Sequence, residues 1–431
     1  MNSTSSALTK PELLKVGKYQ LISPIVHIGS EVSKLNPFEY VATSSRVYFP
    51  DREALGQVLQ KAGKLTEFIR CIEQREDITT LLKNTFGDRW LETKTTEGNP
   101  VFPDYRSSRR WTQERITDLR PMIRNGFGQL YIPGSSIKGA IRTAIAYYLL
   151  KYAKTFNVPQ EKRVSSIEAQ LRQNLGDLKY RAKFMDDSLF MDELFANYEL
   201  TYQGRLVPVQ ERPNPNTDIM RAVHVTDTAP IKEFQRKNQR GQAVPHNQSV
   251  VAEVLVTSHF SDDKAKYRAS IYTEMVRNVQ VQFEITLDTK LLRCFEHRQG
   301  MKLPFQSLED LLKICAEFAQ DQWDGEHDYW QNVEDNARAK DTNGQAIDLD
   351  YENIRKFYAP EKCPFTLRLG WGSGMTGTTV GSLLDDKLRS QIRDTCGIAA
   401  PNFEAPNSRR TITNFDREIQ LVPGWVKFKL V

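Results

Sequence analysis

Two periods of hydrophobic residues occur along this chain of 431 residues, and together they predict a mixed architecture. Short stretches in which apolar residues alternate with polar ones, or in which β-branched residues cluster, predict strands. Longer stretches in which apolar residues recur every three to four positions predict helices. The predicted strands are residues 18–28, 47–50, 221–225, 250–258, 267–273, 279–287, 365–369 and 425–431. The predicted helices are residues 52–62, 65–84, 137–151, 160–199, 303–322 and 380–393, and residues 325–350 are predicted to form an acidic, solvated loop.

Helices that fall between spaced strands favour an α+β fold with a ferredoxin-like (RRM-like) core and large helical and loop insertions. We expect the chain to be organised in six parts. They are a flexible tail (1–16), an N-terminal part of the core with a helical insertion and a glycine-turn helix (17–155), a helical insertion (156–216), a β-rich core segment (217–290), a helical and acidic insertion (291–360) and a C-terminal core segment with a glycine-rich loop (361–431).

Composition excludes several classes of protein. The formal net charge of +5 is mildly basic and does not by itself indicate a nucleic-acid partner. The five cysteines are scattered without a C-x-x-C pair, which argues against a disulfide framework or a zinc site and fits a reducing compartment. The N-terminus lacks the apolar core of a signal peptide, and no apolar run approaches the ~20 residues of a membrane span. We therefore expect a cytoplasmic protein that does not contact a membrane.

The sharpest local signal is a Pro-Gly turn that leads into a helix. The turn ends at Gly134, and the hydroxyl of Ser135 or Ser136 can cap the helix that follows. A helix start presents free N–H groups and partial positive charge, which attract phosphate. Lys138 and Arg142 lie four residues apart and share a face. The turn therefore predicts an anion site, although a capped surface helix would show the same pattern.

Two further basic segments carry aromatic residues. Arg109 and Arg110 precede Trp111 in an arginine-rich segment, where arginines can contact phosphates and tryptophan can stack on a base. Arg236 and Lys237 lie beside a phenylalanine on a predicted loop between strands. We interpret both as candidate RNA contacts, and the alternatives are a solvated face and a plain hairpin tip.

A glycine-rich loop near the C-terminus contains G-x-G-x-x-G, formed by Gly372, Gly374 and Gly377, between a predicted strand and a predicted helix. A dinucleotide fold is excluded because only roughly sixty residues follow, too few for the rest of such a unit. Backbone N–H groups of this loop can bind RNA phosphates, or the loop can be a structural turn. We expect the two glycine-bearing bends to converge on one cradle for a negatively charged strand.

Several segments, in order, resemble one family. Residues 132–144 (I-P-G-S-S-I-K-G-A-I-R-T-A) closely resemble the glycine-turn-helix signature of the RAMP superfamily, the RNA-binding subunits of CRISPR effector complexes. The other segments that resemble this family are 24–30 (P-I-V-H-I-G-S), 218–228 with its arginine at 221, 272–276 (Y-T-E-M-V), the loop 370–377 and 424–428 (G-W-V-K-F). Within the superfamily, the chain is most similar to the subunit that caps the backbone of type III-A (Csm) complexes.

The resemblance implies a non-catalytic subunit that binds the 3′-proximal guide RNA (crRNA), with His27, Gly29 and Ser30 on one wall of the groove and Arg221 completing it. It implies partners: guide RNA, target RNA, other RAMP subunits, chiefly the repeating backbone subunit, and a host nuclease recruited for guide maturation. No cofactor and no metal are expected, because the acidic clusters lack convincing ligand spacing.

Three alternatives remain open. His27 can act as the general base of a metal-independent endoribonuclease that processes guide RNA. The chain can be a sibling backbone subunit of a related complex. The motif S-x-x-K at Ser135 fits serine acyltransferases, but the accompanying motifs of those enzymes are missing from the sequence.

Overall fold

The computed structural model describes residues 14–178, 180, 187–207, 214–237, 241–260, 262–396 and 403–431. Its strands are β1 Leu14–Val26, β2 Val41–Ala42, β3 Arg46–Tyr48, β4 Ser107–Trp111, β5 Leu119–Arg120, β6 Tyr198–Tyr202, β7 Arg205–Leu206, β8 Val223–Val225, β9 Phe234–Lys237, β10 Ala243–His246, β11 Gln248–Ser258, β12 Lys266–Asp288, β13 Phe295–His297, β14 Asn336–Lys340, β15 Ala346–Leu349, β16 Leu367–Arg368, β17 Ser408–Thr413, β18 Ile419–Leu421 and β19 Trp425–Leu430.

The described α-helices are α1 Arg52–Lys61, α2 Leu65–Gln74, α3 Thr79–Phe86, α4 Gly134–Lys151, α5 Val164–Gln173, α6 Thr289–Cys294, α7 Leu308–Asn332, α8 Glu352–Tyr358, α9 Gly374–Thr378 and α10 Asp386–Thr395. Residues Asp187–Ala196 form a π-helical segment, and short 3-10 turns include Ile219–Ala222 and Gly381–Leu383. Among these described helices, none combines the length and the apolar character that crossing a membrane requires.

The centre of the fold is an antiparallel sheet in which β19, β1, β12 and β11 are neighbours in that order. The helix α4 comes between β1 and the β11–β12 hairpin, and α7 comes between β12 and β19. Both helices pack on one face of the sheet, where Ile141 of α4 and Phe318 of α7 share a core with Phe283 of β12. This order and layering confirm the predicted α+β, ferredoxin-like core. The division into six parts stays a prediction.

The predicted pattern of apolar residues explains α4. Ile137, Ile141 and Ile145 are fully buried at helical spacing. The helix nevertheless begins at Gly134, so the prediction that Ser135 or Ser136 caps it is wrong. Pro133 is the N-cap, and its carbonyl accepts the amides of the first turn, which leaves the serine hydroxyls no capping role.

The strand β12 is longer than its sequence pattern predicts. The predicted strands 267–273 and 279–287 are one strand, because the polar residues between them contact other parts of the fold. Glu274 forms a buried ion pair with Arg124, and Arg277 lies over the ring of Trp111. The polar residues between the two predicted strands therefore indicate side-chain contacts with other segments, and the strand continues through them.

The prediction of an acidic, solvated loop at 325–350 is wrong. The helix α7 continues to Asn332, and β14 and β15 form a hairpin after it. Glu326 is buried because Arg368 and Arg409 neutralise it, at 3.4 and 2.9 Å.

Other element boundaries differ as well, most of all in the predicted helix 160–199, which contains α5, a π-helical segment and the start of β6. The predicted helix 65–84 is two helices, separated at Arg75, whose φ of 53° is left-handed. Residues 1–13 of the expected tail lie outside the described residues, whereas Leu14–Val16 are paired with β12. Arg221 lies on the 3-10 turn before β8, not in the strand itself.

Candidate nucleic-acid interface

His27 lies in the interior, directly after β1. Its ring is 0% exposed, and its Nδ1 lies 2.7 Å from the carbonyl oxygen of Glu274. Burial lowers the pKa of His27 to about 4, so the ring is neutral at pH 7. Its Nε2 is buried without a hydrogen-bond partner among the described residues. This position makes His27 a support of the site and not a wall that RNA could touch.

The neighbours of His27 in the sequence are more accessible. Gly29 forms an isolated bridge with Met122, and Ser30 donates its hydroxyl to the carbonyl of Val32 at 2.8 Å. The bridge holds the turn after β1 against the segment that carries Arg124. Both residues therefore shape a turn at the edge of the site.

The glycine-rich loop is fixed to the same end of β1. Gly370 has φ +76°, and a Cβ at this position would lie 2.2 Å from the carbonyl oxygen of His27. Trp371 donates its amide to that carbonyl at 3.1 Å. A glycine is required at this point because the two backbones touch. The approach places the indole of Trp371 edge-on against the ring of His27, with 5.7 Å between centroids.

The predicted glycines of this loop have different surroundings. Gly372 has φ +97° and packs against Pro423, where a Cβ would lie 2.6 Å from a ring carbon. Gly377 is buried beside Ser373 and Gln322. Gly374 has φ +71° and faces open space. Of the three, only Gly374 has the room to admit a ligand next to its backbone.

Two arginines stack on Trp371. The guanidinium carbons of Arg120 and Arg410 lie 4.8 and 5.1 Å from the centroid of its ring. Burial, together with the charges of Arg120 and Arg368, lowers the pKa of Arg410. Among the described residues, neither Arg120 nor Arg410 has an ion-pair or hydrogen-bond partner for its side chain. The two positive charges are therefore held close together without a counter-charge.

A second pair of the same kind lies further along β12. The guanidinium carbon of Arg277 is 3.7 Å from the ring centroid of Trp111, and burial lowers the pKa of Arg277. The described part of the chain supplies no hydrogen-bond or ion-pair partner to its side chain either. Arg109, on the same strand as Trp111, is paired with Glu233 at 2.8 Å.

Strand register places these groups on one face of the sheet. Trp111 pairs with Ala252, and Arg120 pairs with Thr273. Thr273, Met275 and Arg277 are spaced two residues apart along β12, so their side chains lie on the same side of the sheet. Met275 belongs to a small apolar cluster that includes both tryptophans and is separate from the core beneath α4 and α7. We call this surface the arginine–tryptophan face, defined by Arg120, Arg277, Arg410, Trp111 and Trp371.

Of these five residues, sequence reasoning singled out Trp111 as a candidate RNA contact, with Arg120 in the same arginine-rich segment. Two signals in the sequence could have found the others. Polar residues recur along β12 as far as Arg277, and the glycine loop contains a tryptophan. Arg110, which it did single out, points to the other side of β4. Its guanidinium donates to the carbonyls of Thr43, Thr112, Gln113 and Glu114, so Arg110 holds loops together.

The basic hairpin of β9 and β10 adjoins this face. Arg236 and Lys237 are exposed on it, and Phe234 stacks on His246 with 5.1 Å between centroids. Residues 238–240 lie outside the described residues. The hairpin joins the sheet at Asn247, whose amide donates to the carbonyl of Asn278, the neighbour of Arg277.

The turn before α4 is already occupied by a carboxylate. Asp227 accepts the amide of Gly134 at 2.7 Å, in the position where a phosphate would bind. Arg142 is paired with Asp218 at 2.6 Å and stacks on Phe195. Burial lowers the pKa of Lys138.

Arg221 lies near this turn in the sequence and is exposed. It donates to the carbonyl of Asn216 at 2.5 Å. Ser135 is exposed and Ser136 is half-buried.

The expectation that the two glycine bends form one cradle is wrong. A Cβ on Gly134 would meet Thr226, which pairs with Glu284, whereas the C-terminal loop lies by His27, which bonds Glu274. The two glutamates are ten residues apart on β12, which corresponds to a separation of about 33 Å along an extended strand. The basic groups therefore belong to two separate surfaces.

No group of three or more His, Cys, Asp or Glu side chains among the described residues is arranged to hold a metal ion. The site consists of arginines, tryptophans and backbone turns. In other proteins such groups bind phosphates and unpaired bases, and here they lie on the sheet of a ferredoxin-like, RRM-like fold.

Comparison with known proteins identifies the family. The family model of the RAMP superfamily matches residues 18–338. Since this match covers most of the chain, the chain belongs to the RAMP superfamily.

Three similar proteins refine the comparison. The "CRISPR system Cms protein Csm5" of Enterococcus italicus is 30% identical over 137 residues, which are 28% of this chain and 39% of that protein. The chain thus spans about two fifths of this relative. A chain in a cryo-EM structure of a type III-A Csm–crRNA–target RNA ternary complex has a TM-score of 0.61 at 22% identity, covering 96% of this chain and all of that one. A crystal structure of T. onnurineus Csm5 has a TM-score of 0.55 at 21% identity, covering 95% and 99% of the two chains.

Proposed function

We propose that this chain is a non-catalytic RNA-binding subunit of a type III-A CRISPR (Csm) ribonucleoprotein. The observation that carries the proposal is the arginine–tryptophan face, where three half-buried arginines lie on one face of the sheet without a counter-charge among the described residues. A polyanion supplies the missing negative charge, and tryptophans suit a partner with unpaired bases.

The similar proteins support the assignment to this complex. The relative from Enterococcus italicus is a Csm5 protein, and the chain of similar fold comes from a complex that contains crRNA and target RNA. In our proposal the chain caps the backbone of the particle, contacts the repeating backbone subunit and holds the 3′-proximal part of the guide RNA. The same proposal includes two further partners. The chain recruits a host nuclease for guide maturation, and it binds target RNA.

The geometry around His27 favours a binder over a nuclease. A general base must come within hydrogen-bond reach of the proton that it abstracts. The His27 ring is fully buried, and its Nδ1 is engaged with the carbonyl of Glu274. In our proposal His27 therefore supports the fold and does not act as a general base.

Reconstitution tests the proposal. Type III-A subunits and crRNA are co-expressed with and without this chain, and native mass spectrometry gives the stoichiometry. We expect one copy per particle and a particle that lacks this copy when the chain is omitted. Several copies would indicate a sibling backbone subunit, and failure to join the particle would refute the proposal.

A cleavage assay tests the absence of activity. Purified chain is incubated with labelled repeat RNA, and the His27→Asn variant is the control. We expect binding without cleavage by either protein. Cleavage by the natural chain that disappears in the variant would overturn the non-catalytic assignment.

A further inference from the structure

The basic hairpin and the arginine–tryptophan face follow one line along β12. The hairpin of β9 and β10 joins the sheet at Asn247, which bonds Asn278 of β12, and Arg277 directly precedes Asn278. Four residues further toward the start of β12, Thr273 pairs with Arg120, which lies on Trp371 beside the glycine loop. Five residues of strand span about 16 Å. Three basic groups therefore follow one another along β12: first the hairpin, then the pair of Arg277 and Trp111, and then the cluster of Arg120, Trp371 and Arg410.

We propose that this line is a track for single-stranded RNA, in which the three stacked guanidinium groups bind consecutive stretches of the sugar–phosphate backbone. The inference rests on the proposed RNA-binding function and assigns it a place, an order of contacts and a strandedness.

The first argument concerns charge. Two neighbouring arginines do have a counter-charge within the described chain. Arg368 and Arg409 share the buried carboxylate of Glu326. Arg120, Arg277 and Arg410 receive no such partner, although their Nε atoms are buried. Holding uncompensated guanidinium groups in a partly buried surface is unfavourable unless an anion binds there.

The second argument concerns geometry. Each guanidinium lies against an indole, so its donors are held in a fixed orientation before the ligand arrives. Such a group presents a rigid pair of N–H donors to a phosphate, with little loss of side-chain entropy on binding. The indoles thus act chiefly by positioning the arginines.

The third argument concerns strandedness. The five side chains of the arginine–tryptophan face are half-buried, and not projected from the surface. The phosphates of a rigid duplex lie on its outer surface at fixed spacing, whereas an unpaired strand can bend to reach recessed donors and place bases on aromatic rings. Contacts to the sugar–phosphate backbone carry no sequence information, so we expect little sequence preference.

Fluorescence anisotropy with a labelled single-stranded oligoribonucleotide tests the track. The double variant R120Q/R410Q is compared with R52Q/R338Q, which removes two positive charges from the exposed Arg52 of α1 and Arg338 of β14. We expect R120Q/R410Q to weaken binding about tenfold per arginine, as for a lost charge-assisted hydrogen bond. The slope of log K against log salt should fall by about 1.4, since each single-strand phosphate contact contributes about 0.7.

Two further variants keep the test informative if R120Q/R410Q folds poorly. R277Q should reduce the slope by about 0.7 on its own. Trp371→Leu should weaken binding several-fold and leave the slope unchanged, because it removes positioning and no charge. The melting temperature of every variant is measured first.

The outcomes separate this inference from the proposed function. If the natural chain binds no RNA, the proposed function itself fails. If it binds RNA, and the track variants bind as well as R52Q/R338Q, only the track is refuted. Equal affinity for duplex and single-stranded RNA would refute the strandedness. Normal RNA binding by variants that no longer join the particle would show that the face contacts an acidic protein surface instead.

Discussion

Removing the carboxylate of Glu274 should destabilise the fold more than removing any exposed carboxylate of the same strand. Glu274 is fully buried and accepts the hydroxyl of Ser108 at 2.7 Å, the amide of Met122 at 3.0 Å and the guanidinium of Arg124. The side chain of Arg124 is only 17% exposed, so Glu274→Ala leaves a largely buried positive charge without its counter-charge, bonded only to the carbonyls of Tyr105 and Gly128. Breaking a buried pair in this way costs about 3–5 kcal/mol of unfolding free energy.

Glu284→Ala is the matched control. Glu284 lies on β12 as well, but its carboxylate is 41% exposed and meets Lys18 at 3.5 Å. An exposed pair of this kind contributes about 0–1 kcal/mol. Urea unfolding, followed by tryptophan fluorescence and by far-UV circular dichroism, gives both free energies if the two transitions coincide. Equal losses for the two variants would refute the view that Glu274 joins β4 and the Met122 segment to the central sheet.

Two further predictions concern the junction of β1 with the glycine loop. Because burial lowers the pKa of His27 from 6.5 to about 4, His27 contributes about 3 kcal/mol of stability above pH 6.5, which is lost as the pH falls toward 4. His27→Asn should lack this part of the acid sensitivity in urea unfolding at several pH values, and an unchanged pH profile would contradict the buried, neutral histidine. Gly370→Ala should lower the melting temperature more than Gly374→Ala, since both have positive φ but only Gly370 would drive a Cβ against the backbone of His27. Equal shifts would show that the close contact is absent in solution.

Apolar periodicity predicts much of the fold because burial decides it. The spacing of Ile137, Ile141 and Ile145 gives α4 to within a few residues, and the order of strands and helices gives the ferredoxin-like core. The same reasoning fails where polar residues are buried. Glu274 and Glu326 look solvated in the sequence, but arginines from distant parts of the chain neutralise them.

The site was predicted less well than the fold for the same reason. Local charge patterns single out Lys138 and Arg142, yet Arg142 is paired with Asp218, more than seventy residues away. The arginines that have no partner among the described residues, such as Arg277 and Arg410, lie far apart in the sequence and are brought to one face only by strand register. Pairing across β-sheets decides which cations are free, and a local motif does not contain that information.

The close fit around Gly134 has a consequence for how such proteins are recognised. A Cβ at this position would lie 2.3 Å from the carbonyl oxygen of Val225, and Asp227 already binds its amide. The signature by which the chain resembles its superfamily thus fixes the start of α4 against the end of β8 and the residues that follow it. The residues of the arginine–tryptophan face make none of these contacts with Gly134, so the packing that the signature secures places no direct constraint on them.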